Sequence, residues 1–272
     1  MNSNKSVAAY PAVRLSTLMP LALAAFSNFA AAQDGRGPDL EGMWIDSFSA
    51  YADPRWDPED LACIVCSDKA IEYLRTVMEQ EELPSLEELS RAMMEFDKQW
   101  VYELLTEQGR ERYLATESSP DPGCEPIGLV QHVRGLLSFK FEQFEDRVTL
   151  QYEYLGPTRT VYMDGRDHPP DLQPSLLGHS IGWYDGPTLV VETTGLEPNT
   201  VRSAGDPLTI SESALVFERF TRHEGDDWFD YEVTVVDPRT YREPLKILKQ
   251  RRLLERGHEF EIYDCQVVSG EF

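Results

Sequence analysis

Residues 159–195 read RTVYMDGRDHPPDLQPSLLGHSIGWYDGPTLVVETTG, and they decide the predicted fold. Two short segments, 179–184 and 188–194, flank the dipeptide Asp185-Gly186, and strands joined by such a dipeptide are typical of a β-hairpin. A turn rich in Gly and Pro, from Asp164 to Pro170, follows another predicted strand. The segment therefore predicts short strands that are joined by turns.

The same two-residue period continues on both sides of this segment. Strands are predicted at 136–144, 147–155, 158–163, 179–184, 188–194, 213–222, 228–236, 245–254 and 258–266. No helical pattern separates the later strands, which indicates a meander. Because closure removes exposed strand edges, we expect a mainly β fold, either an antiparallel lipocalin-like barrel or a curled sheet.

The chain divides into four predicted regions. Residues 1–32 are a predicted signal peptide, residues 33–57 an extended lead-in with one strand near GMWIDSF, residues 58–115 a helical insert, and residues 116–272 the barrel domain. In the insert, helices are expected after Pro58 and again after Pro84-Ser85. One apolar stripe at helical spacing comprises Leu86, Leu89, Met93, Phe96, Trp100 and Leu104. We interpret it as a core-packing face.

The N-terminus has the order of a secretory signal. Lys5 and Arg14 precede an apolar run that ends in small residues at Ala30–Ala32. The run is roughly 15 residues long, shorter than the ~20 of a membrane-spanning helix, and Pro20 interrupts it. We expect cleavage and a periplasmic or secreted protein; the alternative is a membrane anchor.

Charge and cysteine content narrow the expected partners and bonds. A formal net charge of −23 argues against binding to nucleic acid or anionic membranes, and no later segment is apolar for long enough to span a bilayer. In an exported chain, four cysteines favour disulfides. We predict the pairs Cys124–Cys265 and Cys63–Cys66, although the CxxC could also be a redox or metal pair.

The quoted segment also concentrates ionisable side chains, which often mark a site where strands meet turns. We predict that His179 acts as acid or base, with Tyr154 or Tyr162 as donor and Arg166 oriented by Asp164. His168 completes the catalytic set. Tyr152, Tyr162, Trp183 and Glu192 are predicted to bind the ligand.

Other chemistries fit the residues less well. His168, His179 and Glu192 resemble a two-His, one-carboxylate metal set, but no HxH, HxxxH or HExxH spacing supports it, so no metal or cofactor is predicted. No GxSxG elbow is present for a serine nucleophile. A structural alternative is that Asp164 caps its turn and pairs with Arg166, with His168 in solvent.

Two functions remain open from the residues alone. The first is an exported, cofactor-independent acid/base enzyme of lyase, hydratase, isomerase or cyclase type, with a small hydrophobic substrate in a barrel cavity. The second is a non-catalytic, lipocalin-like periplasmic binding protein for an apolar ligand. Histidines outside the lumen would favour the binding protein.

Two linked motifs resemble those of a broad family of uncharacterised exported bacterial proteins. The matching residues are Arg159, Tyr162, Asp164, Gly165, Arg166, His168 and Pro169, then Gly178 to Gly182, then Gly186, Thr188, Leu189, Val190 and Val191. The resemblance covers roughly residues 120–266 and implies the same fold and export. The chain departs from it at Trp183-Tyr184, where the family has Arg-Trp, and at Cys265-Gln266-Val267, where it has Cys-His-Glu.

Overall fold

A computed structural model describes residues 37–46, 76–77, 84–117, 124–134, 138–198, 208–222, 225–254 and 260–263. All of them belong to one compact unit, Gly37–Phe272. The predicted fold class is confirmed, because the unit is mainly β and its strands form a closed barrel.

The described residues form nine strands and three main helices. The strands are β1 (Gly42–Asp46), β2 (Phe139–Gln143), β3 (Arg147–Tyr152), β4 (Thr158–Tyr162), β5 (His179–Asp185), β6 (Thr188–Thr194), β7 (Leu215–Arg222), β8 (Trp228–Val236) and β9 (Leu245–Leu253). The helices are α1 (Leu86–Leu104), α2 (Glu107–Glu117) and α3 (Leu129–Arg134).

The strands follow each other around the barrel in chain order, and β1 pairs with β9 to close it. One neighbouring pair differs from the predicted antiparallel meander: β4 and β5 run parallel, with Val161 opposite Ser180. An odd number of strands explains the difference, since strict alternation of direction cannot close a ring of nine. The parallel pair needs a crossover, which residues 163–178 supply.

Most strand predictions agree with the structure. Of the strand predicted at 258–266 only residues 260–263 are described, and they contribute an isolated bridge between Tyr263 and Tyr154. Residues 129–134, which precede the first strand predicted in the barrel domain, form the helix α3. The strand predicted near GMWIDSF is β1.

Aromatic side chains fill much of the barrel interior. Trp44 meets Phe229 edge to face at 4.5 Å between ring centroids, and Phe220 stacks on Tyr231 at the same distance. The carbonyl of the fully buried Leu40 accepts a hydrogen bond from the Trp44 indole at 2.8 Å. Close-packed aromatic rings contribute both buried area and specific geometry to this core.

Local chemistry starts helix α1, and a long-range contact ends it. The Ser85 hydroxyl and the Glu88 carboxylate form a reciprocal capping box that starts α1. The predicted continuous helix breaks at Leu105, which is extended and pairs with Tyr241. Of the predicted apolar stripe, Leu104 is buried and Trp100 packs against the core.

Several predictions lie outside the described residues. They are the signal peptide, nearly all of the helix predicted after Pro58, and three of the four cysteines, Cys63, Cys66 and Cys265. Cys124 is described, but both predicted disulfide pairings stay predictions.

Candidate functional site

The predicted site residues separate onto the two faces of the barrel wall. Along β5, Ser180 is 1% exposed and contacts interior side chains, whereas Trp183 is 45% exposed. Because successive strand residues alternate in direction, His179 lies on the outer face with Trp183. The acid/base hypothesis, which needs His179 at the barrel cavity, is corrected on this point.

On this outer face the predicted residues do come together. We call Tyr162, Asp164, Arg166, His168, His179 and Glu192 the outer histidine cluster. The two imidazoles meet with their Nδ1 atoms 2.7 Å apart, and His168 Nε2 lies 3.5 Å from Glu192 Oε1. The Tyr162 ring stacks on His179 with centroids 5.2 Å apart.

Arg166 contacts two other members of the cluster, Tyr162 and Asp164. Its guanidinium lies 3.9 Å from the centroid of the Tyr162 ring and pairs with Asp164. Hydrogen bonds from Arg166 lower the pKa of Asp164 to about 2. Burial, then the neighbouring His168 and Arg166, lower the pKa of His179. The turn pairing expected in the structural alternative is thus present, but His168 is largely buried rather than in solvent.

The predicted ligand-binding residues divide between the two faces. Trp183 and the half-buried Glu192 lie on the outer face, while Tyr152 is 4% exposed and points into the barrel. Tyr154 follows the end of β3 and donates to the carbonyl of Glu125 at 3.3 Å. The catalytic or ligand-binding role of each of these side chains stays a prediction.

A buried ion pair occupies the barrel interior. Arg159 on β4 binds both carboxylate oxygens of Glu218 on β7, one of them at 3.0 Å. The guanidinium also donates to Ser180 at 2.9 Å and Thr193 at 2.7 Å. A longer contact of 3.4 Å reaches Tyr152. All five of its N–H donors therefore have an acceptor.

Two tyrosines extend this interior network. Tyr231 donates to Glu218 at 2.6 Å, and burial raises the pKa values of both Tyr152 and Tyr231. Burial alone would lower the pKa of Arg159, but the carboxylate of Glu218 more than offsets it and raises that pKa. The Arg159 guanidinium is therefore charged, and the Glu218 carboxylate is its direct partner inside the barrel.

A further polar side chain, His132 of α3, reaches this network through Tyr152. His132 is 7% exposed and stacks on Tyr152, with ring centroids 4.2 Å apart and planes at 22°. Its Nε2 has no hydrogen-bond partner among the described residues. Burial, and then the nearby Arg159, lower its pKa to about 3, so the ring is neutral at physiological pH.

Exposed side chains lie near His132, and Tyr154 links one of them, Tyr263, to it. Tyr154 meets the His132 ring edge to face at 6.5 Å and stacks on Tyr263 at 6.1 Å. Tyr263 is 53% exposed and Ile262 is 49% exposed. We call His132, Tyr152, Tyr154, Ile262 and Tyr263 the mouth cluster.

Sequence reasoning missed most of the interior site. Glu218 lies between the buried Val216 and Phe220 at two-residue spacing, so a carboxylate on an apolar strand phase was a detectable signal. Arg159, which shares its strand phase with Val161, was the matching signal of opposite charge. No comparable pattern singled out His132.

The described residues contain no group of three His, Cys, Asp or Glu side chains that could hold a metal ion. None of the helices in that part of the chain is long and apolar enough to cross a membrane. Comparisons with family models, with curated proteins and with solved structures find no match to this chain.

Proposed function

We propose that the protein is a ligand-binding barrel that holds a small, largely apolar molecule at the mouth cluster. The observation that carries the proposal is the neutral, buried His132, whose Nε2 has no partner beside exposed aromatic surface. The mouths of β-barrels are common positions for such ligands.

The unpartnered nitrogen argues for a missing hydrogen-bonding group. A buried polar atom without a partner costs about 1–3 kcal/mol, and native proteins satisfy nearly all of them. A ligand hydroxyl, carbonyl or amine at Nε2 would recover that cost. Stacking on Tyr152 holds the imidazole in place before the ligand arrives.

The neighbouring side chains favour an apolar body for the ligand. Tyr263 and Ile262 expose about half of their surface, and Tyr154 connects Tyr263 to His132. Burying such surface contributes about 25 cal/mol for each Å² removed from water. The Arg159–Glu218 pair is saturated and has no donor left for a ligand.

This proposal replaces the acid/base enzyme that the sequence favoured. That hypothesis required His179 in a cavity inside the barrel, and His179 lies on the outer face. The leader at residues 1–32 supports the further proposal that the binding protein acts in the periplasm or outside the cell.

Titration with N-phenyl-1-naphthylamine, a neutral apolar fluorophore with one N–H, tests the mouth cluster. We expect saturable binding by the wild type. His132→Phe keeps a flat ring on Tyr152 but removes the nitrogen, so we expect about tenfold weaker binding, equivalent to roughly 1.4 kcal/mol. Tyr263→Ala should also weaken binding, through lost apolar contact.

Trp183→Ala is the matched control, because it removes an exposed aromatic ring from the outer face. It should leave the affinity unchanged. Binding that is lost in Trp183→Ala but retained in both mouth variants would reject the mouth cluster. Absence of saturable binding by the wild type, and of any co-purified small molecule in native mass spectrometry, would reject the ligand-binding function.

A further inference from the structure

The crossover loop, residues 163–178, connects the outer histidine cluster to α3. His168 attaches the loop to His179 of β5, and Ser175 donates its N–H to the Gly195 carbonyl at 3.0 Å. Further along, the Leu176 carbonyl accepts from the N–H of Leu129, the first residue of α3, at 2.9 Å. The loop is thus bonded both to the barrel wall and to the helix that carries His132.

The contact between the two imidazoles depends on their protonation. With Nδ1 atoms 2.7 Å apart, one nitrogen must carry the hydrogen and the other must accept it. The contact tolerates two neutral rings or one imidazolium. Two imidazolium rings would place two N–H donors against each other, so a second proton breaks the contact.

Charged side chains surround the two rings. Glu192 of β6 faces Nε2 of His168 at a distance of 3.5 Å. Tyr162 of β4 stacks on His179, and Arg166 lies on the far side of that tyrosine ring, paired with Asp164. A proton on His179 is therefore opposed by the neighbouring His168 and Arg166.

We infer that the His168–His179 pair is an acid-released latch that holds the crossover loop on the barrel wall. Protonation of both rings separates them, frees the loop and, through Leu176, loosens α3 over the mouth cluster. Release of a bound ligand in acid is the expected consequence, and it rests on the proposed function. The latch itself does not rest on the proposed function.

The direction of the pH effect follows from His179. Burial, His168 and Arg166 lower its pKa below the usual 6.5 while the loop is docked. When the loop is released, His179 binds its proton more readily. The population of the released state therefore increases as pH falls below about 6.5. The latch is closed above that pH.

Hydrogen exchange of the full chain, measured by mass spectrometry at pH 7.5 and pH 5 and corrected for intrinsic exchange rates, tests the latch. In the wild type we expect faster corrected exchange at pH 5 in peptides covering 163–178 and 129–134. The rise is at most about tenfold per pH unit for each proton taken up. Peptides from β7 and β8 should not change, which separates local release from global unfolding.

Two variants should change the protection of the loop from hydrogen exchange in opposite directions. His168→Phe removes the latch, so the loop should exchange rapidly at both pH values. His179→Gln retains an amide that can donate to His168 but cannot become charged, so the loop should stay protected at pH 5. An unchanged loop in the wild type, or an equal pH step in His179→Gln, would overturn the latch.

The same samples separate the two proposals. If the fluorophore binds with equal affinity at pH 7.5 and pH 5 and the loop shows no pH step, the latch fails and the binding function stands. If the loop shows its pH step but no ligand binds, the latch stands and the binding function fails.

Discussion

At the scale of single residues, the Arg159–Glu218 pair joins strands that are distant along the chain. Its direct partners Tyr152, Ser180, Thr193 and Tyr231 come from four further strands. Desolvating two charges is expensive, and only complete hydrogen bonding repays it. The pair therefore favours the one strand register in which every donor is satisfied.

Breaking one half of this pair should be costly. We expect Arg159→Met to lower the free energy of unfolding by about 3–5 kcal/mol, because Glu218 is left buried and uncompensated. The double variant Arg159→Met, Glu218→Leu should recover most of that loss. Urea denaturation measures both.

The exposed Arg219–Asp185 pair is the control, with N and O atoms 3.3 Å apart. Arg219→Ala should cost no more than about 1 kcal/mol. Equal losses in Arg159→Met and Arg219→Ala would contradict the buried position of Arg159.

His132 should make stability depend on pH in a predictable direction. In the unfolded chain its pKa is near 6.5, and in the folded protein it is about 3. Between these values the unfolded state binds a proton that the native state does not, so stability falls as pH falls. The loss is on the order of 4 kcal/mol by pH 3.

Urea denaturation at a series of pH values between 7 and 4 checks this, with His132→Phe as the matched variant. The difference between wild type and variant should change steadily below pH 6.5, since carboxylates titrate in both proteins. Parallel profiles would show that the His132 ring is not buried in neutral form.

At the scale of elements, the start of β5 depends on a close backbone approach. Gly178 has φ +65°, and a Cβ there would lie 2.5 Å from the Thr194 carbonyl oxygen. Gly186, in the β5–β6 turn, has a similar φ of +58° but nothing within 4 Å of its Cβ position. The two glycines therefore separate backbone strain from steric overlap.

We expect the left-handed backbone to lower the free energy of unfolding of both alanine variants by about 1–2 kcal/mol. Gly178→Ala should lose a further ~1–3 kcal/mol from the overlap with Thr194. Denaturation midpoints measure the difference. Equal losses in the two variants would mean that β5 starts without this close approach.

Local pattern was sufficient for most strands and for the start of α1. Turn dipeptides and the two-residue period located β3 to β8 closely, and the capping residues Ser85 and Glu88 located the helix start. Pattern did not predict the parallel β4–β5 pair, because strand direction depends on how the whole ring closes. It also did not predict the break at Leu105, which pairing with Tyr241 determines.

The candidate site shows the same division. Proximity of His168 and His179 was predictable from a turn and the strand that follows its loop. The face of the barrel wall on which they lie was not predictable from the sequence. It depends on which alternate residues of β5 point inward, toward Arg159. A one-residue change of phase exchanges the inner and outer faces of a strand.

At the scale of the whole molecule, we expect the protein to be exported, to begin near Gln33 after cleavage and to have its cysteines oxidised. The Ala30–Ala32 ending predicts cleavage there, and an even number of cysteines predicts paired thiols. Intact-mass analysis of periplasmic material should show loss of the leader and a deficit of four protons. An uncleaved chain, or reactive thiols at Cys124 and Cys265, would contradict the respective half of this prediction.

Closure of the barrel between β1 and β9 has a consequence for folding during synthesis. The first strand of the ring cannot find its second neighbour until the last strand has been made, so a growing chain retains two unsatisfied edges throughout elongation. Contacts of such long sequence separation slow folding. We therefore expect ring closure to be the late, rate-limiting event, and nascent chains that lack β9 to be the species that chaperones must protect from aggregation.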